Sequence, residues 1–403
     1  MSARHAVPNA GVALALLLLA GSGCRKESPE QSFAAGAAHA EQGSWQEAVD
    51  AYSKALEGKP DWVDAYVNRG LAKAGLGDHA GAVKDYDEAL RLDPKNTAAL
   101  VNRGVARHEL KQYAAALEDY TAALAADETD VDAHRNRAIT FLAAGEWEAA
   151  VEDYGEAIRL APDDAALYRE RAAVRREQRD EDAAAVDDAL ASLTEAIAAA
   201  PEDAVSWRKR GLAFFEVGEY ELALSDLSEA IRLAPEDADT YVARAHAWFI
   251  QGHTDKAIED YTQALDRSVK ARSAAYAGRG NAYESLGDIA KAVADYSEAV
   301  RLDSEDKDAP MQLAWILATH PAQQYRDGKR AVELATRAVA RTDRLRWRAL
   351  DVMAAACAEA GEFAEAQKYA EQSRNLAPPD QRDAVQNRLM LYRSSRPCRD
   401  STD

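Results

Sequence analysis

Residues 77–94 read GDHAGAVKDYDEALRLDP, and the chain returns to this pattern four more times. GSWQEAVDAYSKALEGKP stands at 43–60, GEWEAAVEDYGEAIRLAP at 145–162, GEYELALSDLSEAIRLAP at 218–235 and GDIAKAVADYSEAVRLDS at 287–304. The tetrapeptide VNRG occurs at 67–70 and again at 101–104, an interval of 34 residues. Counting position 1 at residues 63 and 97, the marks are an aromatic or Leu at 4, Gly or Ala at 8, Gly at 15, Ala at 20, Tyr or Leu at 24, Ala at 27 and usually Pro at 32. Positions 4, 8 and 11 share one face of a first helix A, and 20, 24 and 27 one face of a second helix B. Small residues at 8, 20 and 27 let the two helices approach, Gly at 15 ends helix A, and Pro at 32 stops helix B.

The pattern resembles the tetratricopeptide repeat, whose helix–turn–helix period is 34 residues, and the resemblance runs from about residue 29 to 380. It implies an all-α fold, a right-handed α-solenoid of about ten repeats, beginning near 29, 63, 97, 131, 165, 204, 238, 273, 307 and 347. Repeats 1–5 fill 29–203, with an acidic insert at 179–188. Repeats 6–8 fill 204–306, and two divergent repeats fill 307–380, the ninth with Pro321 breaking its helix A. Residues 381–393 read as a polar-faced capping helix, as solenoids need, and 394–403 as a tail.

Composition agrees. The chain has 403 residues, more than one hydrophobic core usually supports, and 47% of them are hydrophobic. Its net charge of −20 argues against nucleic acid or an anionic lipid surface as a general partner. The three cysteines, Cys24, Cys357 and Cys398, have no metal-ligand spacing. The first 24 residues, MSARHAVPNAGVALALLLLAGSGC, carry an apolar run of about ten residues, where a membrane span needs about 20. Residues 1–23 therefore read as a signal peptide, and AGSGC resembles a bacterial lipobox with Gly21 where Leu is more common. The resemblance implies lipidation at Cys24, with 24–31 as lipidated Cys and tether. The alternative is an ordinary secretory signal with an incidental Cys. Arg25 after the Cys, rather than Asp, implies the outer membrane of a two-membrane bacterial envelope.

Position 7 in the family is usually Leu. Here it is Arg69, Arg103, Arg137, Arg171, Arg210, Arg244 and Arg279. A half-buried guanidinium needs a partner, and position 23 supplies Asp85, Asp119, Asp153, Asp226, Asp260 and Asp295, the fifth repeat being displaced by its insert. Repeats one, nine and ten lack charge at both positions: Ala35 goes with Ala51, Leu313 with Leu334, and Met353 with Tyr369. The expectation is an ion pair within each repeat, with the neighbouring Gly making room for the guanidinium.

The family resemblance also implies a concave groove lined by helix A at positions 2, 5, 6, 9, 12 and 13. Position 6 is Asn68, Asn102 and Asn136 in three successive repeats, similar to the asparagine ladders that hold an extended peptide backbone. An amide both donates and accepts, so it can meet both backbone groups. Arg135, Arg169, Arg208, Lys209 and Arg176 form a basic strip suited to a carboxylate-bearing stretch, interrupted by Glu170 and Glu177. The bland alternative is that these are solvated groove residues with no ligand.

Catalysis finds no support. The eight His are scattered over different repeat positions, and no HExxH, P-loop or GxSxG is present. His134 falls at position 4 and reads as a packing residue. The acidic insert lacks the spaced ligands and Gly of a calcium loop. No catalytic residue, metal or cofactor is expected. The expected function is a lipid-anchored, extracytoplasmic scaffold or assembly factor that binds extended segments of other proteins, with no nucleic acid and with membrane contact through the lipid only. The other reading is a cell-envelope carrier of a polysaccharide or peptidoglycan fragment, for which Phe215 and Phe249 at position 12 would be the stacking surfaces.

Overall fold

The structure is a computed structural model that describes residues 27–268, 272–303, 308–341 and 346–400. The described residues are helical with short connections, and they divide into two compact units at Ala199/Ala200.

In the first unit α1 (Pro29–Glu41) pairs with α2 (Trp45–Gly58), and α3 (Val63–Gly75) with α4 (His79–Leu92). Next come α5 (Thr97–Glu109) with α6 (Tyr113–Ala126), α7 (Val131–Ala144) with α8 (Trp147–Leu160), and α9 (Ala165–Glu177) with α10 (Glu181–Ala199). In the second unit α11 (Ala204–Glu216) pairs with α12 (Tyr220–Leu233), α13 (Ala238–Ile250) with α14 (Thr254–Arg267), and α15 (Arg272–Ser285) with α16 (Ile289–Leu302). Then follow α17 (Asp308–Thr319) with α18 (Gly328–Arg341), α19 (Arg346–Glu359) with α20 (Phe363–Leu376), and a last helix α21 (Arg382–Arg393).

The core of each pair is the small-residue seam plus one large residue from helix B. Ala82, Tyr86 and Ala89 of α4 are at most 1% exposed, and Tyr120, Tyr261 and Tyr296 repeat the role of Tyr86. Here the structure corrects the expected role of the glycine at position 8. A Cβ on Gly104 would lie 2.6 Å from the Tyr120 ring, and one on Gly70 would lie 2.6 Å from Tyr86. The glycine makes room for the tyrosine across the seam, not for the guanidinium beside it.

Helix A ends in a left-handed residue. Gly77, at φ 81°, is one of seven such glycines among the described residues, but Lys111 and Arg179 hold the same conformation at φ 60° and 63°. Those two side chains bear a steric cost that glycine escapes.

Other expectations also change. The tether ends earlier than residue 31, because Ser28 and Gln31 form a reciprocal capping box that starts α1 at Pro29. Segment 179–188 is mostly the start of α10, and the extra length of the fifth repeat lies in that 19-residue helix. Pro321 does not interrupt α17, which ends at Thr319; the additional residues form a short 3-10 turn, Gln323–Tyr325, before α18. The capping helix α21 buries Val385, Leu389 and Tyr392. Cys24 and the rest of the signal-like segment lie outside the described residues.

Candidate functional site

Within the first unit, α1 touches α3, α3 touches α5 and α5 touches α7, a closeness that no two B helices reach. The A helices therefore form the crowded inner layer, with position 7 between the layers and positions 6 and 9 on the inner face.

The arginines at position 7 meet the aspartates at position 23. Arg69 donates to both Asp85 oxygens at 2.9 and 2.6 Å, and Arg137 to both Asp153 oxygens at 2.6 Å. In the second unit Arg210 reaches Asp226 at 2.7 and 2.9 Å, Arg244 reaches Asp260 at 2.7 and 2.8 Å, and Arg279 reaches Asp295 at 2.7 and 2.9 Å. The fifth repeat is no exception: Arg171 bonds Asp187, sixteen residues on like the others, at 2.7 Å. Its register holds because the extra residues follow the aspartate instead of preceding it.

Burial and pairing compete at these sites. Burial lowers the pKa of Arg244, but the hydrogen bond and charge of Asp260 outweigh it and leave the guanidinium above its usual value. Position 11 adds either a second cation or an aromatic face. Lys73 and Arg107 reach Asp85 and Asp119 at 2.8 Å, whereas Phe214 and Tyr283 lie 5.7 and 5.8 Å from the guanidinium carbons of Arg210 and Arg279. His134 is buried, with Nδ1 3.2 Å from Asp153 and Nε2 3.2 Å from the Glu128 carbonyl, so it serves the ladder as well as the packing.

Sequence reasoning missed a third arm that several of these arginines extend to the preceding repeat. Nη1 of Arg69 donates to Ser53 and that of Arg103 to Asp87, both in the preceding repeat; Arg244 does so to Ser228 and Arg279 to Thr262. These partners sit at position 25, two residues after the aspartate position. The signal was legible as the recurrent D-Y-D, D-Y-T and D-L-S at 85–87, 119–121 and 226–228.

The asparagines at position 6 are not equivalent. Asn68 and Asn136 are half-buried. Asn102 is 8% exposed, and its amide donates to its own helix at the Ala98 carbonyl, 2.8 Å. Beside them at position 9 stand Leu71, Val105 and Ile139, each only partly buried. These residues were not singled out from sequence. They add one apolar side chain per repeat next to each amide.

The basic strip is neutralised where it stands. Arg135 forms a two-pronged pair with Glu170, one arm at 2.8 Å. Arg169 pairs with Glu195 at 2.6 Å, and Arg176 with Asp188. In the second unit Arg208 pairs with Asp237 at 2.9 Å, while Lys209 is exposed. These four carboxylates, of which only Glu170 interrupts the strip itself, leave it no ready carboxylate clamp. Phe215 packs edge-on against Tyr220 with ring centres 5.6 Å apart, and Phe249 packs on the core of α13 and α14; both remain partly exposed.

Among the described residues no cluster of His, Cys, Asp or Glu could hold a metal, and no helix is long and apolar enough to cross a membrane. What remains is a surface of regularly spaced inner-face side chains on stacked helix pairs: the chain is a helical repeat scaffold.

Comparison with known families specifies the class. Profiles described as tetratricopeptide repeat match residues 67–131, 186–238 and 273–306, and one described as TPR repeat matches 36–77 and 140–178. Together they span more than half of the sequence, and the chain belongs to the tetratricopeptide repeat family, whose members are non-catalytic scaffolds that bind other proteins. No curated protein matches the chain. Among solved structures, MamA (41-end) from Desulfovibrio magneticus RS-1 is similar at 22% identity and TM-score 0.40, over 41% of this chain and 94% of that one. Yeast Tom70 is similar at 16% identity and TM-score 0.41, over 91% and 96% of the two chains. The APC/C hetero-tetramer Cut9–Hcn1 is similar at 14% identity and TM-score 0.42, over 91% and 90%.

Proposed function

We propose that the inner face of α3, α5 and α7 binds an extended segment of another protein, and that Cys24 anchors the scaffold by a lipid to a bacterial envelope membrane, the outer one where there are two. The observation that carries the first part is the pairing of Asn68 and Asn136, whose half-buried amides no described hydrogen bond occupies, with Leu71, Val105 and Ile139 beside them. Amides at a fixed step suit the repeating donors and acceptors of a peptide backbone, and the apolar side chains between them suit alternate side chains of an extended strand. Arg135 and Arg169, already paired with Glu170 and Glu195, contribute little selection for acidic segments. Arg208 and Lys209 belong to the second unit and are no part of this face. The carrier reading would need Phe215 and Phe249 as stacking faces, and part of each ring already rests on Tyr220 or on the core of α13 and α14.

A photo-activatable residue at Val105 in the native cell should capture the partner, and Asn68→Ala with Asn136→Ala should reduce that capture strongly. Equal capture by the double variant would overturn the reading. For the anchor, Cys24→Ser should release the protein from membranes or block its maturation. A Cys24→Ser chain processed and membrane-bound like the parent would end the lipid proposal.

A further inference from the structure

Residues 396–400 are held against the body of the second unit. After α21, Ser395 adopts φ 53° and turns the backbone, with Arg396 N–H donating to the Leu391 carbonyl at 3.0 Å. Residues 396–400 then run without regular structure across α17 and α19. The Asp400 N–H donates to the Thr319 carbonyl at 2.9 Å, and the Trp315 indole N–H donates to the Asp400 carboxylate at 2.7 Å. Arg399 lies 2.8 Å from Glu359, and Cys398 is 5% exposed with its sulfur 3.2 Å from the Tyr392 hydroxyl. Trp315 and Thr319 stand at positions 9 and 13 of the ninth repeat, and Glu359 at position 13 of the tenth. Those are the positions where this repeat lines its inner face.

We infer that residues 396–400 are a resident occupant of a second peptide-binding face on α17 and α19, and that a partner segment must displace them to bind there. The inference rests on the reading that inner helix faces of this chain take extended peptides. The contacts define the occupant's chemistry: a small side chain that is buried, then a cation that meets Glu359, then a carboxylate that takes the Trp315 indole proton. The partner segment carries that same order, small, basic, acidic. A tethered occupant is present at an effective concentration on the order of millimolar, so it holds off a free segment of similar intrinsic affinity.

The test uses a fluorescent peptide of residues 394–403 and three versions of the full chain: intact, shortened by removal of 395–403, and Asp400→Lys. The shortened and Asp400→Lys chains should bind the peptide at least about tenfold more tightly than the intact chain, and a peptide carrying Asp400→Lys should bind to none. In the intact chain the Asp400 amide should exchange with solvent well below the rate of the free peptide. Asp400→Lys leaves the Tyr392–Cys398 packing in place, so the comparison survives if the shortened chain fails to fold. Equal peptide binding by all three chains, no binding by a folded altered chain, or exchange of the Asp400 amide at the free rate would each overturn the inference. Repeating the titration with Asn68→Ala and Asn136→Ala separates the two faces: this binding should be unchanged, and its failure would leave the first-unit reading standing.

Discussion

Arg103 joins two repeats through one guanidinium. Nε and Nη2 hold Asp119 of its own repeat at 3.0 and 2.6 Å, while Nη1 holds Asp87 of the preceding repeat at 2.7 Å. Asp119 is 2% exposed and Asp87 is exposed, so the two arms differ in worth. Removing the buried partner strands a desolvated cation, whereas removing the exposed one leaves water to replace it.

The ladder therefore predicts an asymmetric set of losses. Asp260→Ala leaves Arg244 without its buried partner and should cost about 3 kcal/mol. Arg244→Met with Asp260→Leu, which removes both charges and keeps apolar volume, should cost less than the single change. Ser228→Ala, which removes the cross-repeat acceptor and the hydroxyl's own bond to the Leu224 carbonyl, should cost about 1 kcal/mol. Equilibrium urea unfolding gives all three values, and a double change that costs as much as Asp260→Ala or more would contradict the buried-pair account.

Much of this was legible because the repeat displays each relationship several times. Charge at positions 7 and 23 appears together or not at all, which a single copy could not have revealed. What escaped notice depended on contacts between copies: the third arginine arm to Ser53 or Asp87, and the pair of Arg135 with Glu170. The Arg388–Asp351 pair, 2.5 Å, ties α21 to α19 across an interval that no repeat rule covers. Of the two roles read for the glycine at position 8, close approach of the helices holds, but room for the guanidinium does not: sequence adjacency pointed to Arg, while the clash lies with a tyrosine sixteen residues away. The tail was unreadable, since nothing in its composition announces that α17 will receive it.

A left-handed lysine offers a gain in stability. Lys111 occupies the place that Gly77 and Gly145 hold in neighbouring repeats, at φ 60°. Lys111→Gly should raise the unfolding free energy, and with it the midpoint, by about 1 kcal/mol in the former once the freedom glycine adds to the unfolded chain is set against the relieved strain. An unchanged or lower midpoint would show that the turn tolerates the side chain without cost.

Glu284 supplies a pH signature. Burial raises its carboxyl pKa, the Tyr296 hydrogen bond lowers it, Asp400 raises it and Arg348 lowers it, and the balance stands above the ordinary value. A carboxyl that holds its proton more tightly folded than unfolded contributes fully below the unfolded pKa. That contribution is lost as pH rises through the folded value. Glu284→Gln keeps an acceptor for the Tyr296 hydroxyl, 2.6 Å away, and cannot ionise. The variant should be more stable than the parent at about pH 7 and nearly equal to it at about pH 4, by thermal unfolding at both. A variant less stable than the parent at both would place the residue's value in its charge.

The inner face of the first unit makes a prediction about salt and sequence. If Asn68 and Asn136 meet a peptide backbone, Asn→Ala at both should weaken unrelated peptide sequences by similar factors, because backbone groups are common to all of them. Arg169 already faces Glu195 at 2.6 Å, and Arg135 faces Glu170, so the face presents little uncompensated charge. Binding should therefore fall only slightly between low and high salt, unlike a site steered by free cations. Arg169→Glu places two carboxylates together and should weaken acidic peptides most, while Arg169→Gln should change little. A steep salt dependence in the parent, with Asn68→Ala and Asn136→Ala silent, would mean that charge selects the partner and that the amides only line the wall.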